Sequence, residues 1–427
     1  MLSKFLKLFS ERPSIIRPTT QPRTRRYDGG HHTFERLESR SMLTGSWCMT
    51  PDAPLNYQPT VDPVVGAVVT AFVSQDPEDA NDRYDILTGW KAAADELHSI
   101  GASEVSFAVY RQVDQGKLSG GPSVSTVAQA VEYAVGKNLS ITILPIFETP
   151  EGWRGDYDPT GSERSAFQSD YTQWISDLAK INGIDRFNIG SELNAMVANA
   201  NNAEFFKNLL QTAETSFAIA ENTTGRIGYA ANHDAFGNDA HRDLFSQEEF
   251  DFIGISAYRW LTSSQNAESV AETDEVASDV FDGFVDIWTN FLDEVELVAS
   301  EFDLPVVLQE VGATQNNYAS VAPFAVNPGD FVDERLEDRY AFDPYEQEAI
   351  FRSIISALDG RGETFESVTF WSWEHQASRG PRTTDVLGTE DGFESFAIYP
   401  TDGGGGEFLT EYLATSPNFH LLREADN

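Results

Sequence analysis

Two glutamates stand out by where they fall. Glu192 closes the run Phe187-Asn188-Ile189-Gly190-Ser191, and Glu310 closes Val307-Leu308-Gln309. Each lies where a short β-prone run gives way to a loop. A carboxylic acid beside a carboxylate is the pair that cleavage of a glycosidic bond requires. One donates a proton to the leaving oxygen; the other attacks the anomeric carbon. Burial and a neighbouring charge push two such pKa values apart, so one fold can hold both states. A single strand-end glutamate is as readily a rim ion pair, but two in equivalent places favour chemistry. Other chemistries lack their residues. No Cys/His cluster has zinc spacing, and no G-x-S-x-G elbow or phosphate loop occurs. The acid-rich run Asp76–Asp85 lacks the spacing and glycine of a calcium loop and reads as a solvated loop. The expectation is therefore no metal and no cofactor.

The elements that must position this pair alternate in type. Short apolar runs precede longer amphipathic ones, the pattern of a buried parallel sheet with crossover helices. Eight strands are expected, at 65–73, 104–110, 139–147, 186–191, 226–231, 250–257, 305–309 and 367–373. Helices are expected at 83–100, 125–137, 162–182, 202–221, 278–302 and 344–358, with a last helical turn near 408–413. Eight such units close naturally as a (β/α)8 TIM barrel. An open doubly wound sheet would carry a glycine-rich loop after its first strand, and Ser74-Gln75-Asp76 is not one. No apolar run approaches the ~20 residues of a membrane span.

Function in such a barrel sits at the carboxyl ends of the strands. That places Glu192 after strand four and Glu310 after strand seven. Ser191 and Asn194 flank the first as candidate substrate contacts. Tyr258 ends strand six. Trp371 and Trp373 lie on strand eight, where alternation points both the same way and one is expected to stack on a sugar ring. The third loop, Glu148–Gly161, carries Glu148, Trp153, Arg154 and Tyr157, of which Trp153 is the candidate sugar platform. Tyr110 and Asn232 end strands two and five. Arg111, His233, Arg259 and Trp260 rank behind them, and Glu374 and His375 read as solvated rim.

A family resemblance can be named on these residues. Phe187–Leu193 resembles the acid/base strand F-x-I-G-x-E-L of glycoside hydrolase family 113, the clan A β-mannanases. Phe250–Tyr258 resembles its D-x-I-G-I-D-A-Y, Leu304–Gly312 its nucleophile strand K-P-x-x-x-T-E-x-G, and Tyr345-Glu346-Gln347 the start of its last helix. The resemblance spans about residues 65–375. It implies a retaining glycosidase with Glu192 as acid/base and Glu310 as nucleophile, acting on an oligo- or polysaccharide of mannan-like kind. It also implies a hydrogen bond from Tyr258 to the nucleophile. Two positions depart from the pattern. Ser191 stands where clan A enzymes commonly carry Asn, and Gln309 stands where Thr is usual. A carbohydrate-binding barrel without catalysis is the alternative.

Composition bounds the partners. Hydrophobic residues make up 41% of the 427, enough for a large core, and the formal net charge of −39 argues against nucleic acid or an anionic membrane. It favours a neutral or cationic ligand. The single Cys48 excludes an intrachain disulfide. The sequence carries no signal for an oligomeric state. Residues 1–45 differ from the rest, with nine Lys/Arg against four acids. They read as a basic targeting segment. Within it, Leu37-Glu38-x-Arg40-x-Met42-Leu43 resembles the L-E-x-R-x-L-L leader of planctomycete proteins, which implies export. Residues 46–63, with four prolines, read as a linker. The barrel domain is expected over 64–427, with its core at 65–375 and a tail at 376–427.

Overall fold

In the computed structural model the residues described are 63–69, 86–149, 152–220, 225–262, 278–315, 317–323, 344–373 and 404–415. The leader, most of the linker, Glu374 and His375 lie outside them. Eight parallel strands form one closed barrel: β1 (Val64–Val69), β2 (Glu104–Asp114), β3 (Ser140–Glu148), β4 (Arg186–Ser191), β5 (Arg226–Asn232), β6 (Phe252–Ala257), β7 (Val306–Gly312) and β8 (Phe365–Trp373). Each pairs with the next, and β1 pairs with both β8 and β2, which closes the ring. The expected (β/α)8 barrel is the observed fold.

Helices cover the outside. They are α1 (Ile86–Ile100), α2 (Val124–Val135), α3 (Gly161–Ala179), α4 (Asn194–Ala198), α5 (Ala203–Ile219), α6 (Asp239–Phe245), α7 (Ser278–Phe302), α8 (Pro344–Leu358) and α9 (Gly404–Thr415). The sequence reading missed α6, whose seven residues are too short to display a period. Its one signal is Asn238, whose Oδ1 caps the helix by accepting the His241 N–H at 2.9 Å. It also ended strand two early. β2 continues to Asp114 and turns back as a hairpin with 117–119.

Side chains alternate along each strand, so the barrel interior is built in layers. The lowest layer is ionic. Glu104 is fully buried; Arg186 Nη1 donates to it at 2.6 Å, Thr142 at 2.8 Å and Ser367 at 2.5 Å. One carboxylate therefore ties together β2, β3, β4 and β8. Gly66 and Gly228 leave room here: a Cβ on Gly228 would sit 2.3 Å from the Phe252 ring. Above it, toward the carboxyl ends of the strands, lies an apolar cluster of Val68, Ala108, Leu144, Ile146, Ala230 and Trp371. Outward-facing strand residues pack with the helices in a second, larger core.

Removing one member of a buried ion pair leaves its partner uncompensated. Glu104→Ala is therefore expected to lower stability by about 3–5 kcal/mol, read as a fall in the urea unfolding midpoint. A change within experimental error would show that the ionic layer does not brace the barrel.

Candidate active site

Both glutamates emerge where the two-residue period breaks. On β4 the pairing with β5 slips between Asn188 and Ser191. On β7 it slips between Ile255 and Ser256 of β6, which pair with Leu308 and Glu310. Such bulges re-aim side chains at barrel rims. Consecutive residues consequently face inward. Ser191 and Glu192 do so on one stave, Gln309 and Glu310 on the other. Glu192 adopts a left-handed backbone, φ 54°, fixed on both sides. Its N–H donates to the Ala230 carbonyl at 2.8 Å, and the Leu193 N–H donates to the Tyr229 hydroxyl at 2.7 Å.

Beneath the pair, Asn188 Nδ2 donates to Gln309 Oε1 across the barrel. Gln309 is fully buried, and its carbonyl accepts from the Thr369 hydroxyl. The departure at position 309 thus serves as a strut between β4 and β7, directly under the glutamates.

Glu192 is 5% exposed and Glu310 2%. Donors converge on both. Glu192 accepts from Trp153 Nε1 at 3.1 Å and Asn232 Nδ2 at 3.2 Å, and pairs with Arg154 Nη2 at 2.8 Å. Glu310 accepts from the Tyr258 hydroxyl at 3.1 Å and the Ser191 hydroxyl at 3.4 Å. Arg154 Nη2 reaches Glu310 as well, at 3.9 Å. One nitrogen touching both keeps the facing oxygens within about 7 Å of each other. Burial, reinforced by the Glu192 charge, pushes the Glu310 carboxyl up to about 7, against the pull of Arg154, Tyr258 and Ser191. Burial and the neighbouring carboxylates also raise the Tyr258 phenol, so it stays a neutral donor.

Arg154 was read from sequence only as one residue of the third loop. The structure makes it the cation of the site, buried with its Nε on the Ser191 carbonyl at 3.2 Å. The loop is pinned from two directions. Tyr157 packs edge-on against Phe147 and Phe167, at 5.5 and 5.2 Å between ring centres. Asp158 accepts from Asn199 at 2.7 Å and Asn202 at 3.1 Å and pairs with Arg164 at 3.5 Å.

The remaining candidates divide. Trp371 lies in the inner layer at the mouth, beside Tyr110 and Tyr258. Tyr110 is close enough to feel the charges of Arg154 and both glutamates. Asn194 opens α4, and its Oδ1 is buried without a hydrogen-bond partner. Trp373 is a correction. It is fully buried in the outer core, and its Nε1 donates to Glu96 of α1 at 3.2 Å. Strict alternation put it beside Trp371. The pairing of β8 with β1 shifts there, Val68 with Trp371 and Val69 with Trp373, and the parity reverses. The Trp371–Ser372 peptide is cis. No cluster of three or more His, Cys, Asp or Glu able to hold a metal occurs among the described residues.

The sequence model of glycoside hydrolase family 113 matches residues 115–393. No curated protein matches the chain. Among solved structures, a family 113 β-mannanase from Alicyclobacillus acidocaldarius, in complex with ManMIm, is 16% identical. The match covers 83% of this chain and 98% of that one, with a TM-score of 0.58. A second family 113 β-1,4-mannanase is 13% identical over 83% and 100% of the two chains, TM-score 0.58. A hyperthermostable endo-1,4-β-D-mannanase from Thermotoga petrophila is 11% identical over 82% and 99%, TM-score 0.54. At these identities the likeness is one of fold.

In the free protein one carboxyl of the pair is expected to hold a proton up to about pH 7. Carboxyl ¹³C shifts of labelled glutamate would follow it. Tyr258→Phe removes a donor to the ionised form and should move that midpoint upward. A midpoint in the ordinary carboxylate range, unmoved by the substitution, would show that the two groups do not interact.

Proposed function

The chain belongs to glycoside hydrolase family 113, a clan A family of retaining glycosidases, and from that premise we propose that it cleaves β-1,4-linked mannan with Glu192 as acid/base and Glu310 as nucleophile. The observation that carries the catalytic pair is the single Arg154 guanidinium reaching both buried carboxylates, and the division of roles follows the family pattern at Phe187–Leu193 and Leu304–Gly312. The substrate class is taken from the family 113 relatives of like fold, which are named as β-mannanases.

The working pair carries one proton. Without substrate, burial and the nearby Glu192 carboxylate raise the Glu310 carboxyl, which favours the proton there. A bound β-mannoside presents its glycosidic oxygen to Glu192 and its anomeric carbon to Glu310. Positive charge developing at that carbon favours an anionic Glu310, so the proton belongs on Glu192. Glu192 gives it to the leaving oxygen as a Glu310 oxygen bonds the anomeric carbon and the glycosidic bond breaks. Glu192, now ionised, takes a proton from water, which attacks the same carbon and releases Glu310. Tyr258, Ser191 and Arg154 hold the Glu310 charge whenever it forms. Trp371 supplies an aromatic face for the sugar at the cleavage point.

A neutral sugar also suits a chain of net charge −39. A carbohydrate-binding barrel without catalysis is the weaker reading, because both carboxylates and all their donors are in place. The leader-like residues 37–43 support export as a further proposal. Deleting residues 1–45 is expected to leave the protein inside an expressing cell related to its source. Unchanged export would refute the leader.

Azide rescue separates the two roles. With an activated aryl β-mannoside, Glu310→Ala should lose nearly all turnover and regain it with azide, releasing the α-mannosyl azide. Glu192→Ala should lose about 10²–10⁴-fold on mannan, much less on the activated substrate, and yield the β-mannosyl azide. The opposite pairing of variants and anomers would exchange the roles.

A further inference from the structure

Trp153 is the candidate sugar platform of the third loop, yet its indole N–H points at a carboxylate. Nε1 donates to Glu192 Oε2 at 3.1 Å. The backbone on either side holds the ring there. Ahead of it, Thr149 Oγ1 donates to the Gly152 carbonyl at 2.8 Å and accepts the Gly152 N–H at 3.1 Å. Gly152 takes φ 147°, a conformation that glycine adopts freely. Behind it, Arg154–Asp156 form one 3₁₀ turn, and the Trp153 carbonyl accepts the Asp156 N–H at 3.1 Å. Gly155 lies against the six-membered ring of the indole. A Cβ there would sit 2.4 Å from two of its carbons. The absent side chain at 155 is therefore the space that the indole fills.

The two oxygens of Glu192 differ. Oε2 accepts the indole N–H and lies 2.8 Å from Arg154 Nη2. Both of those groups donate only. A proton placed on Oε2 would face theirs. Oε1 meets a single donor among the described residues, Asn232 Nδ2 at 3.2 Å. The Asp234 N–H donates to Asn232 Oδ1 at 3.2 Å and holds that amide with its nitrogen toward Glu192. One lone pair of Oε1 remains for a proton. As that proton leaves and the glycosidic bond breaks, negative charge grows on the carboxylate. Hydrogen bonds to a charged oxygen are roughly twice as strong as neutral ones. The indole N–H thus contributes most at that moment. On the reading of Glu192 as acid/base, we propose that Trp153 is a positioning residue: it reserves Oε2, leaves Oε1 to protonate the departing oxygen, and steadies the charge left behind. The role needs no contact with the sugar.

Leaving groups of graded basicity test this, in aryl β-mannobiosides running from 2,4-dinitrophenyl to phenyl. None departs as a sugar, so stacking on a departing sugar drops out of the comparison. Departure of phenol needs the acid; departure of 2,4-dinitrophenol scarcely does. Trp153→Phe keeps an aromatic ring and loses the N–H. Its kcat/KM should fall about tenfold with phenyl, the scale of one lost hydrogen bond to a charged group. The deficit should shrink to about twofold with 2,4-dinitrophenyl. Gly155→Ala leaves the ring unaltered, but its methyl displaces the indole, and it should show the same graded loss. Equal losses along the series, or none, would overturn the positioning role. So would a loss confined to β-1,4-mannotetraose, which would make Trp153 a sugar platform. Glu192→Ala in the same series checks the underlying assignment. If its loss does not grow with leaving-group basicity, the acid/base assignment falls and this role with it. A graded loss for Glu192→Ala beside an ungraded one for Trp153→Phe would overturn the role of Trp153 alone.

Discussion

Two carboxylates cannot both remain charged in a buried space without a cation between them. Arg154 is that cation, 2.8 Å from Glu192 and 3.9 Å from Glu310. Taking three charged groups out of water is unfavourable for each alone, and only mutual compensation with a full set of hydrogen bonds makes it tolerable. The surrounding donors meet that demand. Trp153 and Asn232 serve one carboxylate, Tyr258 and Ser191 the other. The demand is still not fully met: burial and the Glu192 charge push the Glu310 carboxyl up to about 7. That residual frustration is useful, since it leaves one mobile proton in the site. It also has a cost: a carboxyl whose folded pKa is raised withdraws stability as pH climbs from the ordinary carboxylate range through about 7.

The guanidinium is placed by a loop, and the loop is placed by the barrel wall. Tyr157 and Asp158 follow Arg154 closely and lock into an aromatic cluster and an amide-lined notch, respectively. Loops that carry function are positioned by rigid scaffolds. Gly312 shows how tight the fit is, because a Cβ there would sit 2.2 Å from the ring of Tyr258, whose hydroxyl donates to Glu310. Beneath, the Asn188–Gln309 strut joins the two staves that bear the glutamates. The spacing of the pair is thus braced from below by neutral amides and from above by a cation.

Vertical division of the barrel separates stability from chemistry. The ionic layer around Glu104 closes the amino-terminal end, and the carboxyl ends of the strands are left to the site. His233 belongs to that upper end, held neutral beside Arg259 and edge-on to Trp260. The groups proposed to meet a sugar, among the described residues, are neutral or compensated, in keeping with the uncharged substrate proposed.

Much of this was legible in the amino-acid order. The alternation of apolar runs and amphipathic stretches specified eight strands and the closed barrel, because burial periodicity is a local property. The same reading put Glu192 and Glu310 at strand ends, since composition changes abruptly where a buried strand meets solvent. Tertiary structure decided the rest. Bulges on β4, β7 and β8 turned Glu192 and Glu310 inward and Trp373 outward, and a bulge arises from pairing between strands distant in sequence. Arg154 became the shared cation, and Gln309 a strut, only through contacts with residues far along the chain: Glu192 and Glu310 for the first, Asn188 for the second. Periodicity belongs to one strand at a time; charge compensation and register belong to the assembled barrel.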